Sequence, residues 1–314
     1  MATIENSSVS LESVTKAIYR IGGPILFIFG IINCTINLIV FLRKAHRKNP
    51  CSIYLAAVNL MNLLYIFLSM SLACIAIGYD LNLYSRSLFI CRFVNYGSYL
   101  FDILSSTYLI LASIDRVFIT SSNALTRQRS TRRLACISIA TGTIFWMILL
   151  CHILIFMDIQ EISPGYSICY YRAGVYVVVM NYYTLIIKMI VVPLVLIITG
   201  IWTTRNIREV RHRRILPDGS SMENREQFFY NRKDRQLITI IIADICLYVI
   251  WSGMLSISTI YQRISEIAAF ARTNIYWIFL GAFIYNLTFC TNCYVYLIVS
   301  KKYRQEVKRI FLCK

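Results

Sequence analysis

Asp102, Lys188 and Arg116 stand within, or at the mouth of, long apolar blocks of this 314-residue chain. A charge carried into hydrocarbon costs about 2.5–3.5 kcal/mol at a helix centre on insertion scales, so it needs a partner or a use. Asp102 follows Cys91 by eleven residues, about 16 Å along a helix. Lys188 precedes Pro193 by five residues, at a comparable depth in another block. Two arrangements satisfy them: a mutual salt bridge lining a cavity, or separate water-filled crevices, with outward snorkelling a further option for Lys188. A fourth charge, Asp244, has two candidate partners, Arg116 and Tyr296.

Chemistry of other kinds finds little to work with. His46, His152 and His212 are scattered between loops and a block, and no paired-carboxylate cluster accompanies them. The 11 cysteines show no zinc-ligand spacing, and most fall inside apolar blocks as small packing residues. The expectation is a protein that is not an enzyme and carries no metal or cofactor.

The elements that must hold these charges are long helices. Hydrophobic residues make up 58% of the chain and charged residues 15%, against roughly a quarter in soluble domains. A hydrocarbon core of about 30 Å needs roughly 20 apolar residues in a helix. Seven blocks meet that length, at 18–42, 52–77, 89–119, 134–157, 174–203, 236–261 and 273–299. The expected fold is an all-α membrane protein, a seven-transmembrane helix bundle, followed by a short amphipathic eighth helix. Its parts are an extracellular N-terminus (1–17), the transmembrane domain (18–299) and a cytoplasmic tail (300–314). Residues 1–15 are polar and lack the apolar core of a signal peptide, so the first block serves as an uncleaved anchor. There is no internal repeat.

Charge sets the orientation. The formal net charge is +17, and 24 of the 32 Lys and Arg fall in segments 43–51, 116–133, 204–235 and 300–314. Such segments stay in the cytoplasm, which puts the N-terminus outside. This placement also speaks against nucleic-acid binding. Asn6-Ser7-Ser8 is then a glycosylation acceptor on the correct side. Arg208, Arg211, Arg213 and Arg214 recur at helical spacing beyond the fifth block, either to meet a partner or anionic lipid or only to fix topology.

The third block is the most specific. It opens with Cys91 and closes with Asp115-Arg116, and the 25 steps between Cys91 and Arg116 span about 37 Å. This pattern resembles the rhodopsin-like (class A) G protein-coupled receptors, in a divergent branch with a likeness to invertebrate peptide receptors. Supporting landmarks are Asn37 in the first block, Trp146 in the fourth, Pro193 in the fifth, and Asn292-Cys293-Tyr294-Val295-Tyr296 in place of the family's Asn-Pro-x-x-Tyr. The resemblance implies a Cys91–Cys169 disulfide outside and a G-protein switch at Asp115, Arg116, Asn292 and Tyr296. It implies a polar core of Asn37, Asn62, Ser105 and Asn286, and a ligand pocket of Ser98, Tyr99, Asp102, Tyr182 and Lys188. It places Cys313 as a palmitoylation site after the surface helix.

Its implied partners are a heterotrimeric G protein, an extracellular ligand (a neuropeptide or another small polar signal) and membrane lipid, at the plasma membrane. Three departures stand out. The second-block Asp of the family is Asn62, its seventh-block Pro is Cys293, and the sixth block has no proline, leaving Trp251 or Tyr248 as the aromatic toggle. Ser98 occupies the place of the ammonium-binding Asp of amine receptors, which argues against an amine ligand. A transporter or channel is the competing class, but repeated halves and Gly/Pro-broken helices at the midplane are missing from the sequence.

Overall fold

The computed structural model describes residues 13–43, 49–81, 83–163, 166–172, 174–213, 232–267 and 275–311. Six helices are long and apolar enough to cross a membrane. They are α1 (Ser13–Leu42), α2 (Pro50–Gly78), α3 (Leu88–Thr120), α5 (Arg132–Phe156), α6 (Val175–Glu209) and a sixth span, Ile238–Tyr261, within the longer α7 (Arg232–Ile267). A short α4 (Ala124–Gln128) joins α3 to α5. The seventh candidate is a bent pair, Phe279–Cys290 and Asn292–Val299, whose halves meet at 49°. It is built from α8 (Ile275–Tyr285), α9 (Leu287–Cys290) and α10 (Asn292–Val299), and α11 (Lys301–Phe311) follows. The chain is a multi-pass, helical membrane protein. Asn6, Cys313 and Arg214 lie outside the described residues.

Local signals start these helices. Asn49 accepts from Cys51 N at 3.1 Å and Pro50 takes the first turn of α2, where its missing N–H costs nothing. Thr131 caps α5 through Leu134 N at 3.2 Å. The core sits around α3, whose most apolar stretch is 67% buried against 11% for that of α5. α3 packs on α2, α5, α6 and α7. The outward faces stay apolar: Ile144, Phe145, Ile148 and Ile155 of α5 are all more than half exposed. An apolar belt of that size suits lipid and not water.

The stretch between the fourth and fifth blocks, 158–173, expected only as a loop, carries an antiparallel hairpin that begins at Met157. β1 (Met157–Ser163) pairs with β2 (Tyr166–Tyr171), with Ile159 opposite Cys169. Cys169 is disulfide-bonded to Cys91 near the start of α3, with Cα atoms 5.6 Å apart. Arg92 Nε donates to Met157 O at 3.0 Å, so the hairpin is fastened to α3 twice.

The break between α9 and α10 has a specific cause, although Cys293 stands where a proline was expected. In an unbroken helix Cys293 N–H would donate to Phe289 C=O. Here the Asn33 carboxamide of α1 takes both groups. Its Oδ1 accepts from Cys293 N, and its Nδ2 donates to Phe289 O at 2.9 Å. A side chain has been inserted into one backbone hydrogen bond, a recognised origin of a sharp kink. Leucine at position 33 would fill the volume but leave Cys293 N–H unserved, at about 1–3 kcal/mol for a buried group, and Phe289 C=O with only the weak Cys34 thiol donor at 3.7 Å. Asn33→Leu is therefore expected to lower the thermal midpoint of the detergent-solubilised chain; an unchanged midpoint would refute this account of the kink.

Candidate functional site

At the Cys91 end, α2, α3, α6, α7 and α8 enclose a cavity of about 300 Å³, the lower end of the range for ligand pockets. Asp102 and Lys188 meet inside it as an ion pair. Of the arrangements open from sequence, the mutual bridge is the one formed. Asp102 also accepts from Tyr285 Oη at 2.8 Å. The Lys188 ammonium lies 5.7 Å from the Tyr99 ring centre and 5.6 Å from that of Tyr285, within cation–π range. Lys188 belongs to a π-helical stretch, Thr184–Val191, inside α6. Such segments often mark functional positions because they turn side chains out of α-helical register.

Ser98 and Tyr99 line the same cavity, and the Tyr99 hydroxyl bonds that of Tyr171 on the hairpin. Burial, with Tyr99 alongside, holds the Tyr171 phenol well above its ordinary pKa, so it stays a neutral hydrogen-bonding group. Tyr182 does not join them. It is 59% exposed on the outer side of α6, six residues from Lys188, a spacing that cannot share one helix face. Thr184 lines the wall in its place. Residues that sequence reasoning missed are Tyr285, Tyr65 and Asn95. Asn95 Nδ2 donates to Cys91 O at 2.8 Å and to Cys169 Sγ at 3.0 Å, stiffening the rim beside the disulfide. Tyr285 adjoins Asn286, which had been singled out, but its own partner lies 183 positions away.

The polar core is several small sites and not one cluster. Asn62 accepts from Ser105. Asn37 Nδ2 donates to Asn59 Oδ1 at 2.8 Å, and its Oδ1 accepts from Tyr303 of α11. Asn286 accepts from Tyr65 at 3.3 Å, just below the cavity. Asn292 is buried at the start of α10. Trp146 Nε1 donates to Thr107 Oγ1 at 2.9 Å, tying α5 to α3. Of the two aromatic candidates on α7, Tyr248 is buried and accepts from Ser106 at 3.2 Å, whereas the Trp251 indole N–H is buried with no hydrogen-bond partner among the described residues.

At the opposite end of α3, Arg116 is completely buried. Its Nη2 donates to Asp115 Oδ2 at 2.7 Å and to Asn49 Oδ1 at 3.0 Å, and Ser130 donates to the other Asp115 oxygen. Of the two partners considered for Asp244, Tyr296 is bonded: its hydroxyl donates to Asp244 Oδ2, joining α10 to α7. No group of three or more His, Cys, Asp or Glu side chains that could hold a metal occurs among the described residues.

No protein-family model matches this sequence, and no curated protein matches it. Function must therefore be argued from these two sites.

Removing one partner of a buried ion pair leaves an uncompensated charge, at about 3–5 kcal/mol, whereas replacing both with apolar or neutral groups is often near neutral. Asp102→Asn and Lys188→Met should each lower the thermal midpoint sharply. The double variant should recover most of the loss. Additive losses in this double-mutant cycle would mean that the pair is not coupled.

Proposed function

We propose that the protein is a rhodopsin-like G protein-coupled receptor of the plasma membrane. It has seven spans with the N-terminus outside and α11 as the short helix on the inner membrane surface. The observation that carries the reading is the chemistry strung along α3. A disulfide to a hairpin lies at one end, a buried Asp-Arg pair at the other, and a charged cavity opens between them. The basic segments cluster on the Arg116 side, which supports a cytoplasmic location for that end.

In this reading an extracellular ligand, a peptide or a small polar signal, enters the cavity beneath the hairpin. It binds one of two bundle conformations more tightly and shifts the population toward it. The contacts that differ between the two states join α3 to α7 and α8: Tyr285 to Asp102, and Ser106 to Tyr248. Below them the Tyr296–Asp244 bond ties α10 to α7 and keeps the inner end of α7 in place. When α7 swings outward, a heterotrimeric G protein docks against Arg116. Arginine suits the task because its planar fork can exchange the Asp115 carboxylate for backbone carbonyls while staying charged.

Agonist-stimulated nucleotide exchange on a reconstituted G protein tests the reading, set against solute flux in liposomes. Arg116→Ala should abolish stimulated exchange while ligand binding at the far end persists. Undiminished exchange in that variant, or flux without exchange, would refute the receptor assignment.

A further inference from the structure

The cavity is small, and its two charges cancel. Among the described residues, Asp102 and Lys188 are the only acid and base that line it, and their side chains are 5% and 10% exposed. Neither is saturated. An ammonium has three donors and a carboxylate about four acceptor sites. Among the described residues Lys188 has one ion-pair partner, Asp102, and Asp102 accepts from Lys188 and Tyr285. A ligand can therefore add to both groups without separating them.

Charge balance selects the ligand. An anion on Lys188 would sit beside the Asp102 carboxylate, and a cation on Asp102 would sit beside the Lys188 ammonium. Either leaves a net charge in a low-dielectric bundle, where like charges repel strongly and an uncompensated ion is costly. A molecule with one charge of each sign escapes both costs. Laid antiparallel to the internal pair, its ammonium meets Asp102 and its carboxylate meets Lys188, so every charge borders an opposite one. The Tyr99 and Tyr285 rings already flank the Lys188 ammonium, and Val94 and Leu255 offer apolar wall to the rest of the molecule. A single peptide terminus brings one charge only, and the volume of about 300 Å³ is small for more than one or two residues.

We propose that the cavity recognises a small zwitterion of the free α-amino acid type, held as a four-charge cluster with Asp102 and Lys188. This inference rests on the cavity being the ligand site of the proposed receptor. It requires only that the pair stay assembled on binding.

The experiment uses the full chain in lipid nanodiscs and follows its unfolding midpoint. The probes are L-leucine and L-phenylalanine, each as the free zwitterion, the N-acetyl anion, the amide cation and the doubly capped neutral form. For at least one side chain the zwitterion should raise the midpoint at a concentration about tenfold lower than any capped form. Asp102→Asn/Lys188→Met, which leaves no unpaired buried charge if either single variant fails to fold, should lose that preference. A capped form matching the zwitterion, no response to any form of either side chain, or an unchanged preference in the double variant would each overturn the proposal. Nucleotide exchange separates the two readings. Exchange driven by a ligand that is not zwitterionic keeps the receptor and removes this ligand class. Zwitterion binding with no exchange on any G protein does the reverse.

Discussion

Hydrocarbon supplies no hydrogen bonds, so a polar group carried into this bundle is costly unless another part of the bundle serves it. That constraint explains the arrangement better than apolar packing does, because lipid tails are as apolar as the side chains that face them. Asn33 serves the two backbone groups that the α9–α10 break would strand. Lys188 and Tyr285 serve the Asp102 carboxylate. Arg304 of α11 donates to the carbonyls of Leu297 and Ile298 at 2.7 and 2.8 Å, closing the end of α10 where no further turn of helix can.

The same constraint makes α3 the axis of the molecule. Ser105, Ser106 and Thr107 are consecutive, so a helix aims them about 100° apart. Each reaches a different neighbour: Ser105 meets Asn62 on α2, Ser106 meets Tyr248 on α7, and Thr107 meets Trp146 on α5. One helical turn below the cavity thus fixes three helices by short polar contacts. Asp102 above adds α6 and α8, and Arg116 at the far end adds Asn49 at the head of α2. A helix hydrophobic all round could not specify its neighbours in this way.

How much of this was legible in the sequence follows from the range of each signal. The spans were readable because twenty apolar residues in a row are a local property. The Asp102–Lys188 pair was readable as one of two arrangements, because charge and depth can be counted along the chain but azimuth cannot. Tyr182 was misjudged on azimuth: its distance from Lys188 in residues already placed the two on different faces. The resemblance implied one polar core because a family pattern names positions and not partners; Asn37 in fact meets Tyr303, 266 positions away, and Asn59. The kink was invisible for a related reason. Without a proline at position 293 there is no local mark, and Asn33 is read as one more polar residue in an apolar block until it is found 260 positions away from Cys293 and bonded to it.

That kink also organises what lies on either side of it. Tyr285, bonded to Asp102 at the cavity, closes α8. Tyr296, bonded to Asp244 on α7, belongs to α10 beyond the break. A continuous helix would carry both tyrosines as one rigid rod, and a displacement of one would be imposed on the other. With the rod split, the two pieces are held in register at the break by the Asn33 carboxamide, with the Cys34 thiol on the Phe289 C=O and the Leu287 C=O accepting from Thr291 N at 3.1 Å beside it. The hydrogen bonds of an amide side chain are weak enough to be exchanged and directional enough to define an angle. The hydrogen bonds of Tyr285 to Asp102 and of Tyr296 to Asp244 can therefore be made or broken separately, and the angle between the two pieces is set from α1, which packs on Tyr296 through Phe41 but takes part in neither bond.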